Sequence, residues 1–256
     1  MTGGSDYPIL EFDPAPEAVI EPKRVHTAKD VPAHAVVCFF QDVIERLQQE
    51  EGATLLHTLR SEIGPHPVYE MEFEGRRLAV FHPGIGAPLA AGLLEEVIAL
   101  GCTKFIACGG CGVLDSAVTL GQILVPYSAV RDEGLSYHYL PPSREAYASL
   151  SAVAAIEAVL AAQSIDYWRV KTWTTDALYR ETPGKVQRRK DEGCLCVEME
   201  AAAFFAVAQF RGVEFGQLLY GGDDLGGAVW EDRGWNHHRS ARESLFRLAA
   251  ESCLHL

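Results

Sequence analysis

The chain has 256 residues, 48% of them hydrophobic, enough for a large core and too apolar for intrinsic disorder. Its formal net charge of −13 argues against a general partner of nucleic acid or of a membrane surface, both of which repel an acidic protein. No run approaches the ~20 apolar residues of a membrane span, and Met1–Asp6 has no basic region leading into an apolar one, so a cytoplasmic location is expected.

Residues 1–34, rich in Pro and acidic side chains, read as an irregular arm. Apolar strands and amphipathic helices then alternate, the pattern of an α/β sheet. Ala35–Phe40 is a continuous apolar run that predicts a central strand, and Gln41–Glu51 follows as a helix with Val43, Ile44 and Leu47 on one face. Val68–Phe73 and Arg77–Phe81 flank Glu74-Gly75-Arg76 and predict a hairpin. The Gly84–Pro88 segment opens a helix that runs to Leu100. Lys104–Cys108 reads as a short strand ending in the turn Gly109-Gly110-Cys111-Gly112. Gln122–Tyr127 and Trp168–Trp173 read as strands, Ala152–Gln163 as a helix, Phe215–Tyr220 as a buried strand, and Ser240–Leu254 as the closing helix. No linker or repeat interrupts the succession, so one domain over residues 1–256 is expected.

Seven cysteines, an odd number among apolar neighbours, suit free thiols. Cys108 and Cys111 have redox or metal spacing, but no His or second CxxC stands at a zinc spacing, and no metal is expected.

Glycines after strands let backbone N–H groups approach an anion or a planar ring, and two such segments occur, Gly84-Ile85-Gly86 and Gly109–Gly112. Neither fits a dinucleotide or mononucleotide loop. The acids form two groups. Val197-Glu198-Met199-Glu200 stands at the mouth of the apolar run Ala201–Ala208, and Asp223-Asp224 follows the next strand. Acids placed so can meet at one rim of a sheet, where open α/β proteins bind ligands. Ordinary helix-dipole and turn preferences account for the same residues equally well.

Taken in order, Gly84–Pro88, Cys108–Gly112, Ala129–Tyr139, Thr175–Tyr179, Val197–Glu200 and Gly222–Asp224 make residues 80 to 225 resemble the nucleoside phosphorylase family, which includes purine nucleoside and uridine phosphorylases. The resemblance implies a single α/β domain with a central, mixed, barrel-like sheet surrounded by helices, assembled as a dimer or hexamer. It implies cleavage of the N-glycosidic bond of a nucleoside. Glu200 would bind the ribose hydroxyls, Met199 would lie beneath the sugar, and Glu198 would support that contact. Gly112, Leu178 and Val197 would line the base pocket, Asp223 would protonate the departing base, and Gly86, Gly109 and Gly110 would border the phosphate or water. No cofactor is implied beyond phosphate as a co-substrate.

The chain departs from the family at the phosphate site. Gln41 stands for the close-approach Gly, Arg46 falls one position late, Ala107 replaces an Arg, and Gly110 replaces a hydroxyl residue. A charge-assisted, bidentate contact is thereby lost unless Arg46, Arg60 or Arg131 reaches in. Leu178 replaces a stacking aromatic, and Tyr179-Arg180-Glu181-Thr182 lacks the Gln/Arg pair that reads uracil, which favours a purine. The expectation is phosphorolysis; the alternatives are a nucleosidase that uses water and a nucleoside-binding protein without activity. An acidic Asp223 needs burial or a neighbouring charge to hold its proton. Asp224 reads as solvent-facing, Arg233 or Arg239 as a partner of Asp223, and His138 as a packed histidine. His26 is a candidate for the 5′ end of the sugar, and Trp230, Trp235, Asn236, His237 and His238 form a segment that serves either as a lid or as an oligomer contact.

Overall fold

The computed structural model describes residues 6–25, 30–235 and 239–256. His26 and Asn236–His238 lie outside them. Among the described residues the arm holds one 3-10 turn, Pro8–Leu10, and one helical turn, α1 (Pro22–Val25). The body then runs β1 (His34–Cys38), α2 (Gln41–Glu50), β2 (Thr54–Ser61), β3 (Gly64–Phe73), β4 (Arg76–Phe81), α3 (Ala87–Leu100) and β5 (Lys104–Val113). It continues with β6 (Ile123–Asp132), β7 (Glu145–Tyr147), α4 (Leu150–Ala162), β8 (Tyr167–Thr175), α5 (Pro183–Asp191) and β9 (Cys194–Glu198). It ends with α6 (Ala201–Arg211), β10 (Glu214–Asp224) and α7 (Arg239–Leu254).

The strands form one mixed sheet in the order β10-β6-β8-β9-β5-β1-β4-β3-β2, with β7 on β6. A further pairing of β10 with β5 closes β10, β6, β8, β9 and β5 into a five-stranded barrel, the architecture expected from the resemblance. β1 extends it through parallel pairing to β5 on one side and to β4 on the other. The hairpin turn between β3 and β4 is Glu74-Gly75, both at positive φ, the two-residue turn whose twist suits antiparallel strands.

Helix burial follows composition. α6 begins Ala-Ala-Ala-Phe-Phe-Ala-Val-Ala, and all eight residues are buried; small side chains let it sit against the barrel and α3. α7 packs on β1, β5 and α4 through Leu245, Phe246, Leu248, Ala249 and Cys253. All seven cysteines are free and buried.

Three local expectations are corrected. The glycine run 109–112 is no turn: β5 continues through it to Val113, held by β10 on one side and, at Gly112, by Val197 of β9. β1 stops at Cys38, so Phe39 and Phe40 leave the ladder and bend into α2. His138 ends a 3-10 turn and is exposed rather than packed.

Candidate functional site

One cavity of about 780 Å³ opens at the barrel end where β5, β9 and β10 terminate, and Gly109, Gly110, Gly112, Leu178, Val197, Glu198, Met199, Glu200 and Asp223 all line it. Nine residues singled out in the sequence therefore meet on one wall system. The tenth, Gly86, is absent from the lining but acts on it, because its N–H donates to Glu200 Oε1 at 2.6 Å. Gly86 sits at φ +87°, a conformation that L side chains avoid, and it stands immediately before α3.

The acidic floor is built from strand to helix. Glu198 is the last residue of β9, and its Oε2 accepts from the backbone N–H groups of Glu200 at 2.8 Å and Ala201 at 2.6 Å. Its Oε1 accepts from the Thr174 hydroxyl at 2.6 Å, and that hydroxyl in turn accepts from the Ala202 N–H at 2.9 Å. Glu198 thus satisfies the free amides at the start of α6 and fixes the backbone that carries Glu200. Its oxygens are taken up by this scaffold, which makes it a holder of Glu200 more than a sugar contact. Burial raises the carboxyl pKa of Glu198, and burial together with the Glu198 charge holds that of Glu200 above the usual carboxylate range.

Asp223, also in the lining, accepts through Oδ2 from the Trp230 indole N–H at 2.7 Å. Gly112 is required beneath it: a Cβ there would lie 2.5 Å from Leu225 and 3.1 Å from Val197. Glu181 lines the same wall, and burial followed by the Asp223 charge pushes its carboxyl up to about 7. The charged neighbour of Asp223 is thus Glu181 and not the next residue in sequence. Asp224 is buried and bound by the Arg233 guanidinium, contrary to its expected exposure and to the expected pairing of Arg233 with Asp223. The alternation of side chains is retained, since the two aspartates face different surroundings. Arg239 is exposed and does not line the cavity.

The third wall is the one the sequence did not disclose. Phe39, Phe40, Gln217 and Arg242 line it, beside Trp235 of the segment named above as a candidate lid. The Phe39 ring packs on Gly109, whose ideal Cβ would fall 3.1 Å from it, and Tyr220 lies over Gly110 at 3.2 Å in the same sense. None of the three arginines considered from the sequence reaches the cavity. Arg46 pairs with Glu51 and Glu243, Arg60 is exposed, and Arg131, near the end of β6, is buried against the segment that follows, where it bonds Ser136, Ser143 and the carbonyls of Leu140 and Pro141. Among the described lining residues the one cation is Arg242, from α7. Gln217 carried a faint signal, being the lone polar residue inside the apolar run 215–220; Arg242 carried none in an amphipathic helix.

Among the described residues no group of three or more His, Cys, Asp or Glu is placed to hold a metal ion. No helix of the described residues is long and apolar enough to cross a membrane.

Comparison with known proteins agrees with this fold. The family model described as the phosphorylase superfamily matches residues 33–253. The chain is 28% identical over 153 residues to a guanosine phosphorylase of Halorubrum lacusprofundi, covering 60% of this chain and 64% of that protein, so it spans just under two thirds of that relative's length. Among solved structures, a uridine phosphorylase from Vibrio fischeri superposes with a TM-score of 0.73 at 27% identity, covering 88% of this chain and 91% of that one. An AMP nucleosidase from Bacteroides thetaiotaomicron shares the fold, with a TM-score of 0.71 at 22% identity and 87% of each chain covered.

Proposed function

The chain belongs to the phosphorylase superfamily, and we propose that it cleaves the N-glycosidic bond of a nucleoside, a purine nucleoside by preference, with phosphate as the nucleophile. The observation that carries this reading is that Glu200, Met199 and Asp223 line one cavity. Cleavage develops positive charge on the sugar and negative charge on the base. Groups that favour it are a carboxyl under the sugar and a proton donor at the base.

In this reading the ribose lies on Met199, with its hydroxyls on Glu200, which Gly86 and the start of α6 hold in place. Glu198 keeps that helix end fixed. The base lies between Gly112, Val197 and Leu178 and meets Asp223, which delivers a proton or a hydrogen bond as the C–N bond lengthens. Glu181, protonated below about pH 7, stands beside Asp223 as the neighbour that keeps a proton available there. Two carboxyl groups at the base end suit the donor and acceptor edges of a purine.

A second reading, hydrolysis by water, is favoured by one observation: Phe39 packs on Gly109, on the border where the resemblance puts the anion. The test is base release from a panel of nucleosides with and without phosphate, identifying the sugar. Ribose 1-phosphate formed only with phosphate supports the first reading, and free ribose at a rate indifferent to phosphate selects the second. Asp223→Ala should lower base release by roughly 10²–10⁴-fold while nucleoside still binds; unchanged turnover would remove Asp223 from the reaction.

A further inference from the structure

Among the described residues four acids line the cavity, Glu181, Glu198, Glu200 and Asp223, and three of them are engaged within the protein. Glu198 takes up the start of α6, Glu200 accepts from Gly86, and Asp223 accepts from Trp230. Glu181 differs. Its carboxyl has no hydrogen-bond partner among the described residues, and the charges that act on it are those of Asp223, from β10, and Lys185, from α5. Lys185 is bonded to Asp132 at 3.4 Å and does not line the cavity, and Arg180, the charged neighbour in the same turn, is exposed. A half-buried carboxyl that faces a cavity with no protein partner calls for one from a ligand.

Its place in the chain sets which part of the ligand it meets. Glu181 closes the short turn Leu178–Arg180, its N–H donating to the Leu178 carbonyl at 3.3 Å, so it lies one turn from a residue of the base pocket. Trp230 occupies Oδ2 of Asp223, and Oδ1 lies 3.5 Å from where a Cβ on Gly112 would stand, against the same pocket. The base end therefore presents two carboxyl groups, one fixed by an indole and one free.

When the bond at N9 of a purine breaks, the electron pair spreads over the imidazole ring to N7, so the proton donor belongs at N7. Next to N7 on the same edge is the substituent at position 6, which accepts when it is an oxo group and donates when it is an amino group. A protonated carboxyl serves either kind, through its O–H or its carbonyl, whereas a carboxylate only accepts.

We propose that Glu181 is the specificity-determining residue for position 6 of the purine, standing beside Asp223 at N7, and that its ionised form accepts a 6-amino group and rejects a 6-oxo group. The assignment rests on the N-glycosidic reading for its setting, and binding of the free bases tests it apart from that reading. Burial and the Asp223 charge push the Glu181 carboxyl up to about 7, so the selectivity changes across neutral pH. Below that point both kinds of purine are served, and above it 6-amino purines are favoured. Both lose rate as the base end gains charge, and the ratio between them isolates the reading of position 6.

The experiment measures kcat/KM for inosine and adenosine, which differ in the 6-substituent, at about pH 6 and about pH 8 with phosphate present. Taking the ratio cancels the titration of phosphate itself. A midpoint at about 7 leaves roughly a tenth of the Glu181 groups protonated one unit higher, so the inosine-to-adenosine ratio should fall on the order of tenfold in the wild type. Glu181→Gln, whose amide donates and accepts at every pH, should hold the ratio constant, and so should Glu181→Ala, with both rates lowered. Each variant is first checked for a native circular dichroism spectrum. Calorimetry follows hypoxanthine and adenine under the same conditions, and their affinity ratio should fall in the wild type and stay level in Glu181→Gln. Ratios that do not change with pH in the wild type, or that fall equally in Glu181→Gln, would overturn the assignment. Should neither nucleoside be cleaved while the ratio of base affinities follows Glu181, the specificity site stands and the cleavage reading fails. Cleavage of both with ratios indifferent to Glu181 leaves that reading standing and removes the site, and a wild type that binds neither base and cleaves neither nucleoside removes both.

Discussion

In the proposed reaction Glu181 and Asp223 act together at the base end, and they do so through proximity rather than sequence. Glu181 precedes α5, Asp223 lies near the end of β10, and the cavity brings both to one wall. Burial disfavours the ionised form of Glu181, and the Asp223 charge disfavours it further, so its carboxyl is pushed up to about 7. The sign is direct: below about pH 7 the group holds its proton, and above it the wall carries a second negative charge that opposes a departing anionic base. Base release by the wild type should therefore decline as pH rises through about 7. Glu181→Gln, neutral at every pH, should flatten that limb in a kcat/KM profile. The same proton is bound more tightly in the folded than in the unfolded chain, whose carboxyl has the ordinary value of 4.5, so the unfolding midpoint should also fall as pH rises through that interval. An identical alkaline limb in Glu181→Gln would assign it to another group. At this scale the sequence disclosed Glu200, Met199 and Asp223, because each lies in a segment whose order and spacing resemble a family. Glu181, Gln217 and Arg242 stayed hidden: each is a common surface residue type, and only the folded chain turns it inward.

Between elements, the decisive joint is the step from β9 into α6. A helix start leaves backbone N–H groups without intrahelical partners, and here a strand-end carboxylate and a neighbouring strand's hydroxyl take them up. Thr174 is buried and serves both sides of the joint, donating to Glu198 and accepting from Ala202. Thr174→Val keeps the volume and removes both bonds. It should lower unfolding stability by about 1–3 kcal/mol, read in a denaturant titration. It should also weaken nucleoside affinity, because Glu200 is carried on the loosened segment. Unchanged stability would mean that α6 is held by its apolar packing alone. The acidic motif at the mouth of a helix was readable from the sequence, and so was most of the alternation of strands and helices. The course of β5 was not. Four residues with three glycines read as a turn, since glycine weakens a strand, yet β5 is held on both sides and its glycines admit Phe39, Tyr220 and Leu225 against the backbone.

At the scale of the whole molecule, the cavity holds its acids in a largely apolar lining and has an apolar mouth. Ile85 is 61% exposed, Leu178 46%, Tyr179 91% and Trp230 60%, and all four line the same cavity, so they share its rim. Single exposed apolar residues are ordinary, but several around one opening mark a surface that another body covers. The expected cover is a second copy of the chain, which would shield the acids from water and strengthen their contacts with the sugar. The net charge of −13 opposes association at low ionic strength, so the assembly must rest on apolar area and should tighten as salt screens the repulsion. Sedimentation should accordingly find a mass of at least twice 28.0 kDa, with the larger species favoured by added salt. Tyr179→Asp should shift the population toward 28.0 kDa and raise the KM for nucleoside together, leaving the unfolding midpoint of the separated chain close to that of the wild type because the side chain is outside the core. A wild type that sediments at 28.0 kDa under all salt conditions would mean that the apolar mouth is covered from within the chain.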